Sequence, residues 1–160
     1  MSKQLEGRIY GVIGIKSVLA NWNADFSMYP RSLATGEVYG SNKALKYPMK
    51  RMWQENGEKV LGLSSYRLNS DGELVPNSLS ERYEELFGDL EGKSADLQTE
   101  VLKNLFSAAD VKNFGVTFAV NKVNLSVMGA VQITNGFNKY EDHDTVEMAI
   151  LSPYRNPKGQ

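Results

Sequence analysis

Cysteine is absent from this 160-residue chain, and histidine occurs only once, as His143. The absence of cysteine excludes disulfide bonds and zinc sites built on thiolates, and it suits a reducing compartment. A serine nucleophile would have only His143 to act as its base. That histidine lies in the acidic stretch 141–144, whose spacing matches no established metal-binding loop, so we interpret the stretch as an exposed turn. The sequence therefore predicts no metal site and favours a protein that is not an enzyme.

Long apolar runs and glycine-rich phosphate-binding motifs are also missing. No segment approaches the roughly 20 apolar residues that a membrane-spanning helix needs, and the charged N-terminal residues do not resemble a signal peptide. The composition, 41% hydrophobic and 23% charged, is that of one soluble domain with a core. We therefore expect a cytoplasmic protein with no membrane partner and no cofactor.

Net charge is nearly absent as well, at −1 for the whole chain, so any attraction for a polyanion has to be local. The stretch 26–54 has a net charge of +4, which leaves −5 for the remainder. It contains one acid, Glu37, and five basic residues, which are Arg31, Lys43, Lys46, Lys50 and Arg51. The three lysines are three and four residues apart, so on a helix they share one face. This segregation favours a nucleic-acid partner, while charge alone leaves open an ordinary solvated helix face.

The order of predicted elements indicates an α+β fold with an antiparallel sheet. We expect a central strand at 8–19, a helix at 43–54 kinked by Pro48, and a strand at 60–68. A capping-box pattern, Ser78 to Glu81, predicts a short helix that ends at Phe87, and a buried stripe predicts another helix around 97–106. Alternating residues then predict strands at 116–120 and 125–134. On the helix at 43–54, Leu45, Met49 and Met52 are expected to face the sheet.

Two separated blocks of sequence resemble a known family. The first is Asn21-Trp22-Asn23-Ala24-Asp25, followed by the stretch 40–51, which contains a Lys-Arg pair. The second is the stretch 109–115, followed by Gly-Ala-Val-Gln at 129–132. Together they resemble the repeating backbone subunit, of the RAMP superfamily, found in type I CRISPR surveillance complexes (Cascade), in its I-B-like branch. The resemblance covers nearly the whole chain.

The resemblance implies a modified RNA-recognition-motif palm, which is ferredoxin-like, over residues 1–134, with inserted helices at about 69–106. Residues 135–160 would begin a thumb-like segment. Members of the family are longer, so the last palm strand is expected to be missing. The implied function is non-catalytic binding of the guide RNA (crRNA) in antiviral defence. The implied partners are copies of the same subunit, other Cascade subunits and, through the guide, target DNA.

The resemblance also suggests which residues contact the guide. They are the loop residues Asn21, Trp22, Asn23 and Asp25, together with Arg31, Lys43, Lys46, Lys50 and Arg51. Trp22 could stack on a base or anchor the loop to the core. Asp25 could organise the loop backbone as an Asx-turn, or it could act in cleavage, as an aspartate does in related type III subunits.

Three other functions remain open from the sequence. A shortened backbone subunit could dock onto Cascade subunits and block assembly, as an anti-CRISPR protein carried by a mobile element. Asp25 could support a metal-dependent ribonuclease. An unrelated ferredoxin-like domain that binds a metabolite would require both blocks to be coincidental.

Overall fold

The computed structural model describes residues 6–18, 20, 22–90 and 95–140. The helices in this part are α1 (Asn42–Glu55), α2 (Leu79–Phe87), α3 (Ala95–Leu105) and α4 (Ala109–Phe114). The strands are β1 (Tyr39–Gly40), β2 (Tyr66–Leu68), β3 (Leu74–Pro76), β4 (Gly115–Val120), β5 (Val123–Met128) and β6 (Gly136–Phe137). They form three antiparallel pairs, β1 with β6, β2 with β3 and β4 with β5. The predicted α+β class with antiparallel pairing is confirmed, and the arrangement is compatible with a fragment of an RNA-recognition-motif palm.

The hydrophobic core lies where the β4–β5 hairpin packs on α2, α3 and α4. Tyr83 is at its centre, with its ring centroid 4.9 Å from Phe87 and 5.3 Å from Phe118. The hydroxyl of Tyr83 accepts a hydrogen bond of 2.8 Å from Asn104, and burial raises the pKa of that hydroxyl. The other members of the buried cluster are Leu61, Val101, Leu105, Ala108, Val111 and Val123. Val101 and Leu105 of the stripe predicted at 97–106 are buried here and Leu97 packs against the cluster, whereas Phe106, at the end of that stripe, is 38% exposed.

The hairpin formed by the two strands predicted at 116–120 and 125–134 is confirmed, with different bounds. Its turn needs only two residues, because Asn121 adopts the left-handed conformation (φ 52°) that asparagine tolerates. β5 therefore begins earlier than predicted, and it ends at Met128 rather than Thr134. Beyond it the chain follows α4 instead, since the amides of Ala130 and Val131 donate to carbonyls at the C-terminal end of that helix.

The predicted central strand at 8–19 is not formed: residues 8–18 belong to no strand, and residue 19 lies outside the described residues. The apolar side chains from Ile9 to Val18 are exposed, up to 98% for Val12. The pattern of β-branched residues is typical of a strand, but a strand forms only beside a neighbour that pairs with its backbone. None of the six described strands pairs with this segment.

The predicted strand at 60–68 is present only from Tyr66 onward, as β2. Val60, Leu61 and Leu63 are buried in an irregular segment, because side chains rather than a neighbouring strand satisfy the backbone there. The capping box of α2 is confirmed on both sides. The Ser78 hydroxyl accepts from the Glu81 amide at 3.3 Å, and the Glu81 carboxylate accepts from the Ser78 amide at 2.8 Å.

Helix α1 begins at a cap in which the Ser41 hydroxyl accepts from the amide of Ala44, and it continues through Pro48 to Glu55. The helix therefore neither ends nor restarts at Pro48. No residue of α1 is buried, and Met52, predicted to face the sheet, is 50% exposed. The helix lies against α4 rather than across a sheet. None of the helices in the described part of the chain combines the length and apolar character needed to cross a membrane.

Candidate nucleic-acid interface

The loop that precedes β1 is fixed by the side chain of Asn23. Its amide group donates to the carbonyl oxygen of Tyr39 at 2.6 Å, and its oxygen accepts from the amide of Ser41 at 3.1 Å. Asn23 itself has φ of 60°, a left-handed conformation that asparagine adopts more readily than most residues. Asn23 therefore connects its loop to the start of α1 through Ser41, which is 18 residues further along the chain.

Trp22 lies directly against the backbone of β1. A methyl group added at Gly40 would be 2.5 Å from Cη2 of the indole and 2.8 Å from Cζ2, so any larger residue there would have to displace the ring. Trp22 as a whole remains 36% exposed. It is therefore anchored on one side while part of its surface stays open to a ligand.

A pair of asparagines joins the start of α1 to the stretch before β6. The Asn42 amide donates to the side-chain oxygen of Asn135 at 3.1 Å, and the Asn42 side chain donates to the Ile133 carbonyl at 3.0 Å. The β1–β6 pair continues this contact, with Gly40 opposite Gly136. Sequence reasoning missed Asn135, because residues 93 positions apart give no local signal.

Asp25 organises the turn that follows the loop. Its Oδ1 accepts from the amide of Ser27 at 2.8 Å and from the amide of Tyr29 at 3.0 Å. The predicted Asx-turn is therefore confirmed. An open groove of about 500 Å³ lies beside this turn, and Arg31 and Tyr39 are among the residues that line it.

The basic residues of α1 have different environments. Lys43 is exposed in the first turn, where there is no acidic residue. Arg51 pairs with Glu55 at 3.4 Å, and both side chains are largely exposed. Lys46 lies over the ring of Phe114, with Nζ 4.7 Å from the centroid. The predicted lysine face is therefore partly turned toward α4 and partly toward solvent.

Lys50 is partly buried, with 21% of its side chain exposed, and it has a buried anionic partner. Its Nζ is 3.5 Å from Oδ2 of Asp110 and donates to the Gly62 carbonyl at 3.1 Å. Asp110 is buried and accepts two backbone bonds, from Leu61 at 2.9 Å and from Gly62 at 2.8 Å. Sequence reasoning missed Asp110, although it lies in the second resembling block.

Arg82 satisfies the carbonyl groups of the same irregular segment. It donates to Val60 at 2.6 Å and to Leu61 at 3.4 Å, and it pairs with Glu85 at 2.9 Å. The hydrogen bond from Ser65 and the pairing with Arg82 hold the pKa of Glu85 below its usual value. Buried charges from α2 and α4 thus fix the segment against which Lys50 rests.

Two predicted features lie outside the described residues, namely Asn21 and the acidic stretch 141–144 with His143. Within the ranges that are described, no three acidic or histidine side chains come together as a metal site would require. The structure brings Trp22 and Asn23 against Gly40 and Ser41, which directly precede α1. Lys43 lies in the first turn of that helix, whereas Lys46, Lys50 and Arg51 contact neighbouring side chains.

Comparison with known families accounts for the two blocks of sequence. Residues 7–160 match the family model described as CRISPR-associated protein Cas7. The chain belongs to the Cas7 family. The Cas7 match spans the loop at Trp22, helix α1 and the second block, and it supports a RAMP-type protein, as the resemblance implied. No curated protein and no solved structure gives a significant match to the chain.

Proposed function

We propose that this Cas7-family chain is a non-catalytic backbone subunit that binds the guide RNA of a type I, I-B-like Cascade complex. The observation that carries the proposal is the family match over residues 7–160, which includes every residue predicted to contact RNA. Membership of the Cas7 family supports association with CRISPR RNA and with other Cas subunits. The Trp22 loop and α1 form the surface that we propose for the RNA.

The proposed RNA surface is the junction of the Trp22 loop, β1 and the first turn of α1. The start of a helix carries positive potential that attracts phosphate groups, and in α1 this potential remains although the amides of Asn42 and Ala44 already donate to Asn135 and Ser41. Here the first turn carries Lys43 and no acid. Trp22 presents an exposed aromatic surface next to this turn. A cation beside an exposed aromatic ring is the combination that binds single-stranded nucleic acid without regard to sequence.

Hydrogen bonds already hold the loop in place before any ligand binds, which favours binding. Asn23 connects it to Tyr39 and Ser41, and Asn42 joins the adjoining start of α1 to the stretch before β6. A preformed loop loses less conformational entropy on binding than a flexible one. Arg31, in the neighbouring groove, extends the cationic surface.

Asp25 has a structural role in this proposal rather than a catalytic one. One of its carboxylate oxygens already accepts two backbone bonds that shape the turn. Guide binding then requires only phosphate contacts and stacking, while base pairing of the guide with target DNA provides sequence specificity. The proposed setting is antiviral defence in the cytoplasm, with other Cascade subunits and further copies of the chain as partners.

The test is co-expression of the chain with a guide RNA and the other subunits, followed by size-exclusion chromatography with absorbance recorded at 260 and 280 nm. We expect the chain in a large, RNase-protected peak rich in RNA. Lys43→Glu should remove the chain from that peak. The matched control Lys122→Glu changes the same charge in the exposed β4–β5 turn and should leave it there.

Two results would contradict the proposal. One is a chain that elutes small and free of RNA while the partners assemble normally without it. The other is a chain that elutes small while the partners' large complex disappears, which is the behaviour of an assembly blocker.

A further inference from the structure

The two inward-facing lysines of α1 match two residues of α4 at the same spacing. Lys46 lies over the ring of Phe114, and Lys50 pairs with Asp110, so residues four apart on one helix meet residues four apart on the other. Trp53 adds a ring contact with Phe114 at 5.5 Å between centroids. These contacts join α1 to α4, and they involve two cations for which the family resemblance suggested contact with RNA.

We propose that Lys50 is a positioning residue that docks α1 on α4, and that Asp110 withholds its ammonium group from the guide. This inference rests on the proposed function, because it concerns which cations of the proposed surface reach phosphate. The side chain of Lys50 is 21% exposed, and that of Asp110 is 4% exposed. A carboxylate this deeply buried requires compensation by charge and hydrogen bonds.

Moving Lys50 to a phosphate would leave Asp110 with two backbone amides and no cation. Removing one partner of a buried pair is costly, because the other charge stays buried without compensation. A phosphate contact at an exposed surface is screened by salt and yields less. The competition between the two anions therefore favours Asp110.

Gly62 lies directly beside this ammonium group. Its carbonyl accepts a hydrogen bond from Nζ of Lys50 at 3.1 Å, and its amide donates to Oδ2 of Asp110 at 2.8 Å. A methyl group at this position would meet Nζ of Lys50 and approach Oδ2 of Asp110, so the lysine and the carboxylate both lie against this backbone. The carboxylate of Asp110 and the carbonyl of Gly62 thus both hold the lysine in place.

The experiment measures how RNA affinity depends on salt, using the full chain and a fluorescently labelled single-stranded guide RNA. Each phosphate contact contributes about −0.7 to the slope of log K against log salt concentration for a single strand. We expect Lys43→Gln to reduce the magnitude of the slope by about 0.7. Lys50→Gln should leave it unchanged, and Asp110→Asn should steepen it by up to about 0.7 as Lys50 is released.

A reduced slope in Lys50→Gln, equal to that in Lys43→Gln, would overturn the inference. Thermal unfolding of the single variants and of Lys50→Gln/Asp110→Asn, in the absence of RNA, tests the pair directly. We expect strongly non-additive shifts in the melting temperature, whereas additive shifts would show that the pair does not position α1. If the unaltered chain binds no RNA, the proposed function fails, while the unfolding measurements still decide the role of Lys50.

Discussion

Replacing Arg82 with methionine should be among the most destabilising single changes in the described core. The guanidinium group is buried and donates to the carbonyl oxygens of Val60 and Leu61, in a segment that has no neighbouring strand. Methionine keeps much of the side-chain volume, so the loss is mainly one of hydrogen bonds from a charged donor. Glu85 is half-exposed and can be solvated after the change.

The magnitude follows from the two carbonyl groups. A hydrogen bond to a charged group contributes about 1.5–3 kcal/mol, and the bond to Leu61 is long at 3.4 Å. We therefore expect Arg82→Met to lower the free energy of unfolding by about 3 kcal/mol. For a chain of this size, that corresponds to a fall in melting temperature of roughly 6–12 °C. Urea unfolding followed by circular dichroism measures the free energy, and a thermal scan measures the temperature.

The matched control is Arg67→Met, because Arg67 also pairs with a glutamate of α2. That pair, with Glu81 at 2.6 Å, has both partners substantially exposed. Exposed pairs contribute less than about 1 kcal/mol, so the control should unfold almost like the unaltered protein. Equal and small effects of the two substitutions would refute the argument that Arg82 maintains the irregular segment.

Three further predictions concern the helix cap, the response to acid and the Trp22 loop. Ser78→Ala removes the cap of α2 and should cost about 1 kcal/mol in urea unfolding, whereas Ser78→Gly should cost less. Hydrogen bonds from Ser78 to Glu81 and from Ser65 to Glu85 hold the pKa values of the two carboxyl groups below the usual 4.5. The two carboxylates therefore contribute fully to stability above pH 4.5, and this contribution is lost as the pH falls through the lowered pKa values. Glutamine at both positions should flatten the acid limb of a stability-against-pH curve, and an unchanged limb would contradict this. Gly40→Ala should displace Trp22, and tryptophan fluorescence should shift to longer wavelength as the indole becomes exposed; an unshifted spectrum would show that the ring does not rest on Gly40.

Local chemistry accounts for the elements that the sequence predicted well. The capping box at Ser78 fixes where α2 begins, and its two reciprocal hydrogen bonds need only four consecutive residues. Alternation predicts the β4–β5 hairpin, because both strands and their turn lie within 14 residues, from Gly115 to Met128. These signals are short in range, so reading the chain locally is sufficient.

The elements that were missed depend on distant partners. The apolar pattern at 8–18 is typical of a strand, yet none of the described strands pairs with it. The segment at 60–65 is equally apolar, but Asp110 and Arg82 bind its backbone from 48 and 22 positions away, and it remains irregular. Apolar periodicity indicates that a segment can be buried; it does not indicate which groups will satisfy its backbone.

The same limit applies to the charge of the candidate site. Periodicity places Lys43, Lys46 and Lys50 on one face of α1, but only the tertiary structure shows that Asp110 neutralises one of them. The net charge of +4 over residues 26–54 therefore overstates the cations that one copy can offer to a phosphate backbone. A surface with few available cations binds a polyanion weakly. Because it makes few phosphate contacts, its affinity also depends only weakly on the salt concentration. Copies that also contact one another along one guide would bind with a much higher combined affinity, because such contacts link their surfaces into one multivalent ligand. Weak binding by one copy is thus compatible with the proposed role as a repeating backbone subunit, since linked copies would form an ordered array while single copies would not be trapped on unrelated RNA.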